Sequence, residues 1–277
     1  MPLKKSFSNR LIILTLQNKI SFLLRKPVLN YLEMHLTDHC NLNCMGCGHF
    51  SPIADKWFAD ISRHDKDMQR LCTLFSNIKT LRLMGGEPLL HPQVEHFFSI
   101  TRQYFPKTDI KLVTNGILLK QMPESFWKSC IKNNIVIEWT VYPPLANNIN
   151  YIKSYIQSKG VSFNVSKCTN FHSNMNPLGN SDPKKSFQFC RSQYFCPFLR
   201  EGKIYSCGRQ VLSNYFNKLF KTRVPISGYI DIHIANLSGW DILYSINKFS
   251  DTCNYCSDKI RWFDWRKSEK DISEWVV

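Results

Sequence analysis

Two hydrophobic periods alternate along the chain between residues 32 and 165. Apolar runs of strand character fall at 32–36, 78–84, 109–113, 135–141 and 161–165. Between them, apolar residues recur three and four apart, the spacing that gives a helix one buried face. This predicts helices over 63–77, 92–105, 123–133 and 148–159, the first with Met68, Leu71, Cys72 and Phe75 on its inner face. Pro92 suits a first helical turn and Gly160 a helix stop. Strand and helix alternating in this way imply a parallel sheet.

The fold class expected is therefore α/β, a partial (β/α)6 TIM-like barrel over residues 28–185. A small cysteine-rich extension over 186–277 is expected to follow it. Functional loops of such a sheet lie at the C-terminal ends of its strands. The sequence motifs sit there: Gly85-Gly86-Glu87-Pro88 after the second strand, Thr114-Asn115-Gly116 after the third, Tyr142-Pro143-Pro144 after the fourth. From residue 169 the texture changes. Asn, Ser and Pro crowd 169–185, which reads as a loop or crossover. Residues 198–205 read as a hairpin turning at Glu201-Gly202, and 237–248 as a helix. Residues 1–27 read as a basic amphipathic lead-in helix. They hold Lys4, Lys5, Arg10, Lys19, Arg25 and Lys26, no acid, and an apolar stripe from Ile12 to Leu24. Such a stripe packs on a domain or lies on a membrane surface.

Composition narrows the classes. Hydrophobic residues make up 43% of 277, as in ordinary globular proteins. No apolar run approaches the roughly 20 residues of a membrane span, and no secretory signal is present. Eleven cysteines in such a chain imply a reducing cytoplasm and metal ligation rather than disulfides. The net charge of +15 suits an anionic substrate, an acidic electron-transfer partner or an anionic membrane surface. No nucleic-acid-binding signature accompanies it.

The densest chemistry is Cys40-Asn41-Leu42-Asn43-Cys44-Met45-Gly46-Cys47, a CxxxCxxC loop just after the first strand. A loop of this length lets three sulfurs converge on one face of an iron–sulfur cube. One iron then lacks a protein ligand, whereas four cysteines would close the site. Zinc, with His39 or His49 as fourth ligand, is the competing reading. The loop resembles the signature of radical S-adenosylmethionine (radical SAM) enzymes. That resemblance implies a catalytic 4Fe–4S cluster on Cys40, Cys44 and Cys47. It also implies SAM bound at the open iron and cleaved reductively to a 5′-deoxyadenosyl radical.

The same resemblance assigns other positions. Gly85, Gly86, Glu87 and Pro88 look like the family's GGEP turn, which binds the SAM amino group. Glycines let the backbone approach a ligand closely, and Glu87 or nearby carbonyls can accept from an ammonium. Thr114 and Asn115 look like the third-strand element that lines the SAM pocket. Thr140 occupies a fourth-strand position where relatives often carry a hydroxyl. The family usually has an aromatic residue just before the third cysteine; this chain has Gly46. His49 or Phe50 is the expected replacement at the adenine.

A second cysteine group, Cys196, Cys207, Cys253 and Cys256, offers four thiols, enough for a second cluster or a zinc ribbon. It resembles the twitch or SPASM-type extension of radical SAM enzymes, which implies one auxiliary 4Fe–4S cluster. Cys190 is surplus to these four and is a candidate hydrogen-atom donor in an epimerisation, with Cys168 as the fallback. Cys72 and Cys130 read as structural thiols within helices. The stretch from His35 to Pro52 looks like radical SAM proteins associated with bacterial surface-polysaccharide biosynthesis. This implies a sugar, nucleotide-sugar or glycan substrate, oxidised or epimerised, and an acidic electron donor such as flavodoxin or ferredoxin. Only 39 residues precede Cys40, too few for a separate peptide-recognition domain. Peptide modification is the alternative inside the class, and a non-enzymatic zinc or iron–sulfur protein the alternative outside it.

Overall fold

A computed structural model describes residues 25–277. The lead-in helix expected over 1–27 lies almost wholly outside the described residues. Five parallel strands come first, β1 (Val28–Thr37), β2 (Asn77–Gly85), β3 (Asp109–Thr114), β4 (Ile135–Val141) and β5 (Phe163–Lys167). Helices α1 (Ile61–Leu74), α2 (Val94–Tyr104), α3 (Glu124–Lys132) and α4 (Ile149–Ser158) connect them. Asp60 starts α1 by accepting from the Arg63 N–H at 2.7 Å. Met68, Leu71 and Leu74 then form its buried face. Pro92 lies just before α2, whose cap is Gln93, rather than inside its first turn.

Register aligns the core. Met34 pairs with Leu83, Leu83 with Leu112, and Leu112 with Ile137, all buried. Strands covered on both faces lose strict alternation, and β1 is buried at its last six positions. The parallel pairing also brings the ends at Thr37, Gly85, Thr114 and Val141 to one edge of the sheet.

The second half differs from expectation. The 169–185 stretch holds a strand, β6 (Asn170–Met175), and the start of a helix, α5 (Pro183–Gln193). Asp182 caps α5, with Pro183 in its first turn. Next comes β7 (Phe198–Arg200), the sixth parallel strand. It pairs with the free edge of β1, through Glu33↔Phe198 and Met34↔Leu199, rather than following β5. The hairpin to β8 (Lys203–Tyr205) is present, turning at Glu201-Gly202. After α6 (Arg209–Phe220), strand β9 (Tyr229–Asp231) completes a mostly parallel eight-stranded sheet, β5-β4-β3-β2-β1-β7-β8-β9. Helix α7 (Gly239–Ile246) opens with a capping box of Ser238 and Asp241. Finally, β10 (Cys256–Asp264) pairs antiparallel with β6 in a separate ribbon. The chain beyond residue 186 is thus interleaved with the chain before it. Among the described residues, no helix is long and apolar enough to cross a membrane.

Candidate active site

The loop carrying Cys40, Cys44 and Cys47 leaves β1 at the edge where β2 and β3 also end. It turns tightly, with Asn43 and Gly46 at positive φ and the Phe50 N–H donating to the Cys47 carbonyl at 2.9 Å. Its base is tied to the 85–88 turn. Gly86 N–H donates to Thr37 O at 2.9 Å, Glu87 N–H to His39 O at 3.1 Å, and Thr37 Oγ1 to Glu87 O at 2.8 Å. A Cβ on Gly85 would overlap the Thr37 carbonyl, and one on Gly86 the His39 carbonyl. Glycine is therefore required for the two segments to meet at all.

A cavity of about 100 Å³ opens above this junction. Cys40, Cys44, Cys47, His49, Gly85, Gly86, Thr114, Asn115 and Thr140 line it. Tyr142 and Phe171 join them, together with Ser51. The Ser51 hydroxyl is buried without a hydrogen-bond partner among the described residues, and a water or ligand in the cavity would satisfy it. Asn115 Nδ2 donates to Cys40 Sγ at 3.6 Å and to Asn41 Oδ1 at 2.7 Å. Burial pushes the thiols of Cys40 and Cys44 up to about 12. Deprotonating them needs a compensating cation, which a metal centre provides. Three thiols with an orphaned hydroxyl and the Gly85-Gly86 backbone around one cavity fit a three-cysteine cluster with a ligand beside it.

Two expected contacts do not occur. Phe50 is fully buried against Phe216 and Trp275 and does not line the cavity, because its left-handed backbone turns the ring into a second apolar core. His49 does line it, and the aromatic walls are Tyr142 and Phe171. Glu87 is also fully buried. Its carboxylate accepts from Thr114 Oγ1 at 2.7 Å, Asn115 N–H at 2.8 Å and Leu89 N–H at 3.1 Å. Burial pushes it up to about 7 against these three bonds. It braces β3 against β2 and does not face the cavity, and Pro88 beside it is buried in the same turn.

Behind the loop lies a charged network that the motifs did not reveal. Asp38, fully buried, accepts from Arg200 Nη1 and Nη2 at 3.0 and 2.8 Å and from the Tyr215 hydroxyl at 2.6 Å. His35 Nδ1 lies 2.7 Å from it, and the His35 ring meets His49 edge-on at 4.8 Å.

A second cavity, of about 220 Å³, is lined by Glu33, His49, His172, Asn174, Tyr194 and Arg209 and by Cys190, Cys196, Cys207 and Cys256. His49 thus borders both cavities. Cys253 is not in the lining, although its thiol feels those of Cys190 and Cys256. Arg209 Nη1 donates to Asn174 Oδ1 at 2.8 Å and to Cys256 Sγ at 3.4 Å. Cys168 lines neither cavity; its thiol donates to Asn170 O at 3.5 Å and feels that of Cys47. Cys130 is buried, as expected of a structural thiol, whereas Cys72 is only partly so. Among the described residues, no three His, Cys, Asp or Glu side chains gather on one point that a single metal ion could occupy.

No protein-family profile matches the chain. Among curated proteins it is similar to GTP 3′,8-cyclases. The Campylobacter fetus protein is 28% identical over 107 residues, 38% of this chain and 33% of its own length. That of Nautilia profundicola is 31% identical over 94 residues, 34% and 30% of the two chains. The chain thus spans about a third of the length of these relatives. Among solved structures, BtrN in complex with AdoMet and 2-DOIA covers 82% of this chain and 85% of its own, at 12% identity and a TM-score of 0.46. That likeness is loose and carries no part of the site's reading. The three-cysteine loop and the turns beneath it thus accompany a partial likeness to GTP 3′,8-cyclases.

Proposed function

We propose that the chain is a radical SAM enzyme acting on a small anionic substrate, a sugar, nucleotide sugar or glycan. The reading is carried by one observation: Cys40, Cys44 and Cys47 share a cavity with the 85–86 and 114–115 turns. A 4Fe–4S cluster on these thiols, with SAM, supplies a carbon radical able to take a hydrogen atom from a C–H bond. The chain's own residues hold and orient. Gly85 and Gly86, which let the turn close on the cysteine loop, present their backbone to the cavity where the polar end of SAM would lie. Asn115 holds both the Cys40 sulfur and the loop, and Glu87 fixes Asn115 from behind. Tyr142 and Phe171 offer aromatic faces for an adenine.

Arg209 sits among the thiols of the second cavity, donating to Cys256 Sγ and Asn174 Oδ1, and the +15 charge suits an anionic substrate. The cyclase relatives are named for a guanine nucleotide. Cys190 lines this cavity with Cys196, Cys207 and Cys256, and Cys253 does not. We therefore assign Cys190 as the fourth ligand of an auxiliary cluster, with Cys253 beside it. This displaces the hydrogen-donor role from Cys190 and favours oxidation, leaving Cys168 as the thiol for an epimerisation. The basic surface suits an acidic electron donor.

Anaerobically reconstituted protein should form 5′-deoxyadenosine from SAM and a reductant. Replacing Cys40, Cys44 and Cys47 together by Ala should abolish it. Undiminished 5′-deoxyadenosine from that triple variant would remove the assignment. Phosphorylated sugars and peptides, offered in parallel, then separate the substrate classes by SAM-dependent mass change.

A further inference from the structure

Position 46, where this chain lacks the aromatic usual in the family, is occupied from elsewhere. Gly46 has φ +62°, and a Cβ there would overlap the Phe263 ring and lie 2.8 Å from Glu274 O. The segment from Phe263 to Trp275 is stitched along the cysteine loop. Met45 N–H donates to Arg266 O, Ser268 N–H to Asn43 O, and Trp275 Nε1 to Cys47 O, each at 2.8 Å. Between these bonds, Trp265 Nε1 donates to Cys44 Sγ at 3.1 Å. Its backbone N–H is held by Thr169 O at 2.7 Å, so the indole is anchored at both ends. Among the described residues, Cys40 receives only longer bonds, from Leu42 N–H at 3.4 Å and Asn115 Nδ2 at 3.6 Å.

We propose that Trp265 is a positioning residue for the catalytic cluster: its indole N–H, donated to the Cys44 sulfur, raises the potential at which the cluster takes up its electron. The physical reason is charge. Reduction adds negative charge that spreads onto the ligand sulfurs, so a donor aimed at one of them stabilises the reduced state more than the oxidised one. Hydrogen bonds to sulfur are among the determinants of cluster potential. Partners of metal ligands also fix ligand orientation. The proposal rests on the reading that Cys40, Cys44 and Cys47 hold a 4Fe–4S cluster.

The test is a redox titration of the catalytic cluster followed by EPR. It uses full-length reconstituted protein with the auxiliary cysteines intact. Wild type is compared with W265F, which keeps an aromatic ring and loses the N–H, and with W265H, which keeps a ring N–H. The expected result is equal iron content, a midpoint potential shifted to more negative values in W265F, and partial recovery in W265H. An unmoved potential in W265F with iron retained overturns the proposal. If W265F does not retain iron, wild-type protein carrying 15N-labelled indoles replaces it. Pulsed EPR of the reduced cluster should then show a hyperfine coupling to an indole nitrogen, and its absence overturns the proposal equally. Failure of the underlying reading looks different: wild-type protein itself would bind no cluster at Cys40, Cys44 and Cys47.

Discussion

Asp38 is the joint between the parallel strands and the chain that follows them, and its removal should be costly. In Asp38→Ala the Arg200 guanidinium loses both of its carboxylate bonds, the Tyr215 hydroxyl its acceptor, and His35 its partner. Asp38 is wholly buried and the Arg200 side chain is 11% exposed, so water cannot readily replace what is lost. Breaking a buried ion pair by removing one partner costs about 3–5 kcal/mol. A stranded hydroxyl adds roughly 1 kcal/mol or more. We expect about 4–6 kcal/mol, a large share of the ~5–15 kcal/mol that holds a typical domain together. Urea unfolding of the metal-free protein, monitored by tryptophan fluorescence, measures the loss as a fall in midpoint at constant slope. The double variant Asp38→Ala, Arg200→Met should lose less than the sum of the two single changes, because it strands no charge. A loss under about 1 kcal/mol for Asp38→Ala would refute the argument from buried charge. So would strict additivity. Acid offers an independent check. Burial pushes the Asp38 carboxyl up, but His35 and Arg200 outweigh it and hold the group below the ordinary carboxylate range. Its contribution is thus present above the unfolded value near 3.8 and is lost as pH falls below it.

His64 should make stability fall earlier on acidification. Burial holds it at about 3 against 6.5 when unfolded. Stability is therefore full above pH 6.5 and lost below it, by about 1.4 kcal/mol per pH unit. His64→Leu should flatten that slope by about one proton in pH-dependent denaturation. Gly46→Ala should destabilise the cysteine loop by roughly 2–4 kcal/mol, from left-handed strain and overpacking against Phe263. Urea midpoints would reveal it, and a neutral result would detach the C-terminal segment from the loop. Cys190→Ala should lower the iron content by about four per chain while Cys253→Ala leaves it unchanged, as iron analysis can decide; the reverse pattern would return Cys253 to the ligand set.

The alternation of periods was enough to place the five parallel strands and four helices. Each depends on local amphipathicity and on a cap or breaker within a few residues, such as Asp60 or Gly160. The cysteine loop and the glycine and asparagine turns were legible for a related reason. Their chemistry is written in contiguous residues, and the parallel register carries every strand end to the same edge. Everything that depends on distant pairing was hidden. Strands β6 and β10 are poor in strand-forming residues and exist because they find each other across the chain, Phe171 opposite Phe263. The sixth parallel strand took the open edge of β1, since β6 had already left the sheet. Phe50 and Glu87 have the right residue types beside the right motifs. Backbone handedness at one, and three satisfied hydrogen bonds at the other, turn them away from the cavity. Phe171, Arg209 and Trp265 carry no motif at all. Only the tertiary structure brings them to the sulfurs, in Trp265's case from 221 residues away, because a side chain's partners across the fold are set by packing rather than by its neighbours in sequence.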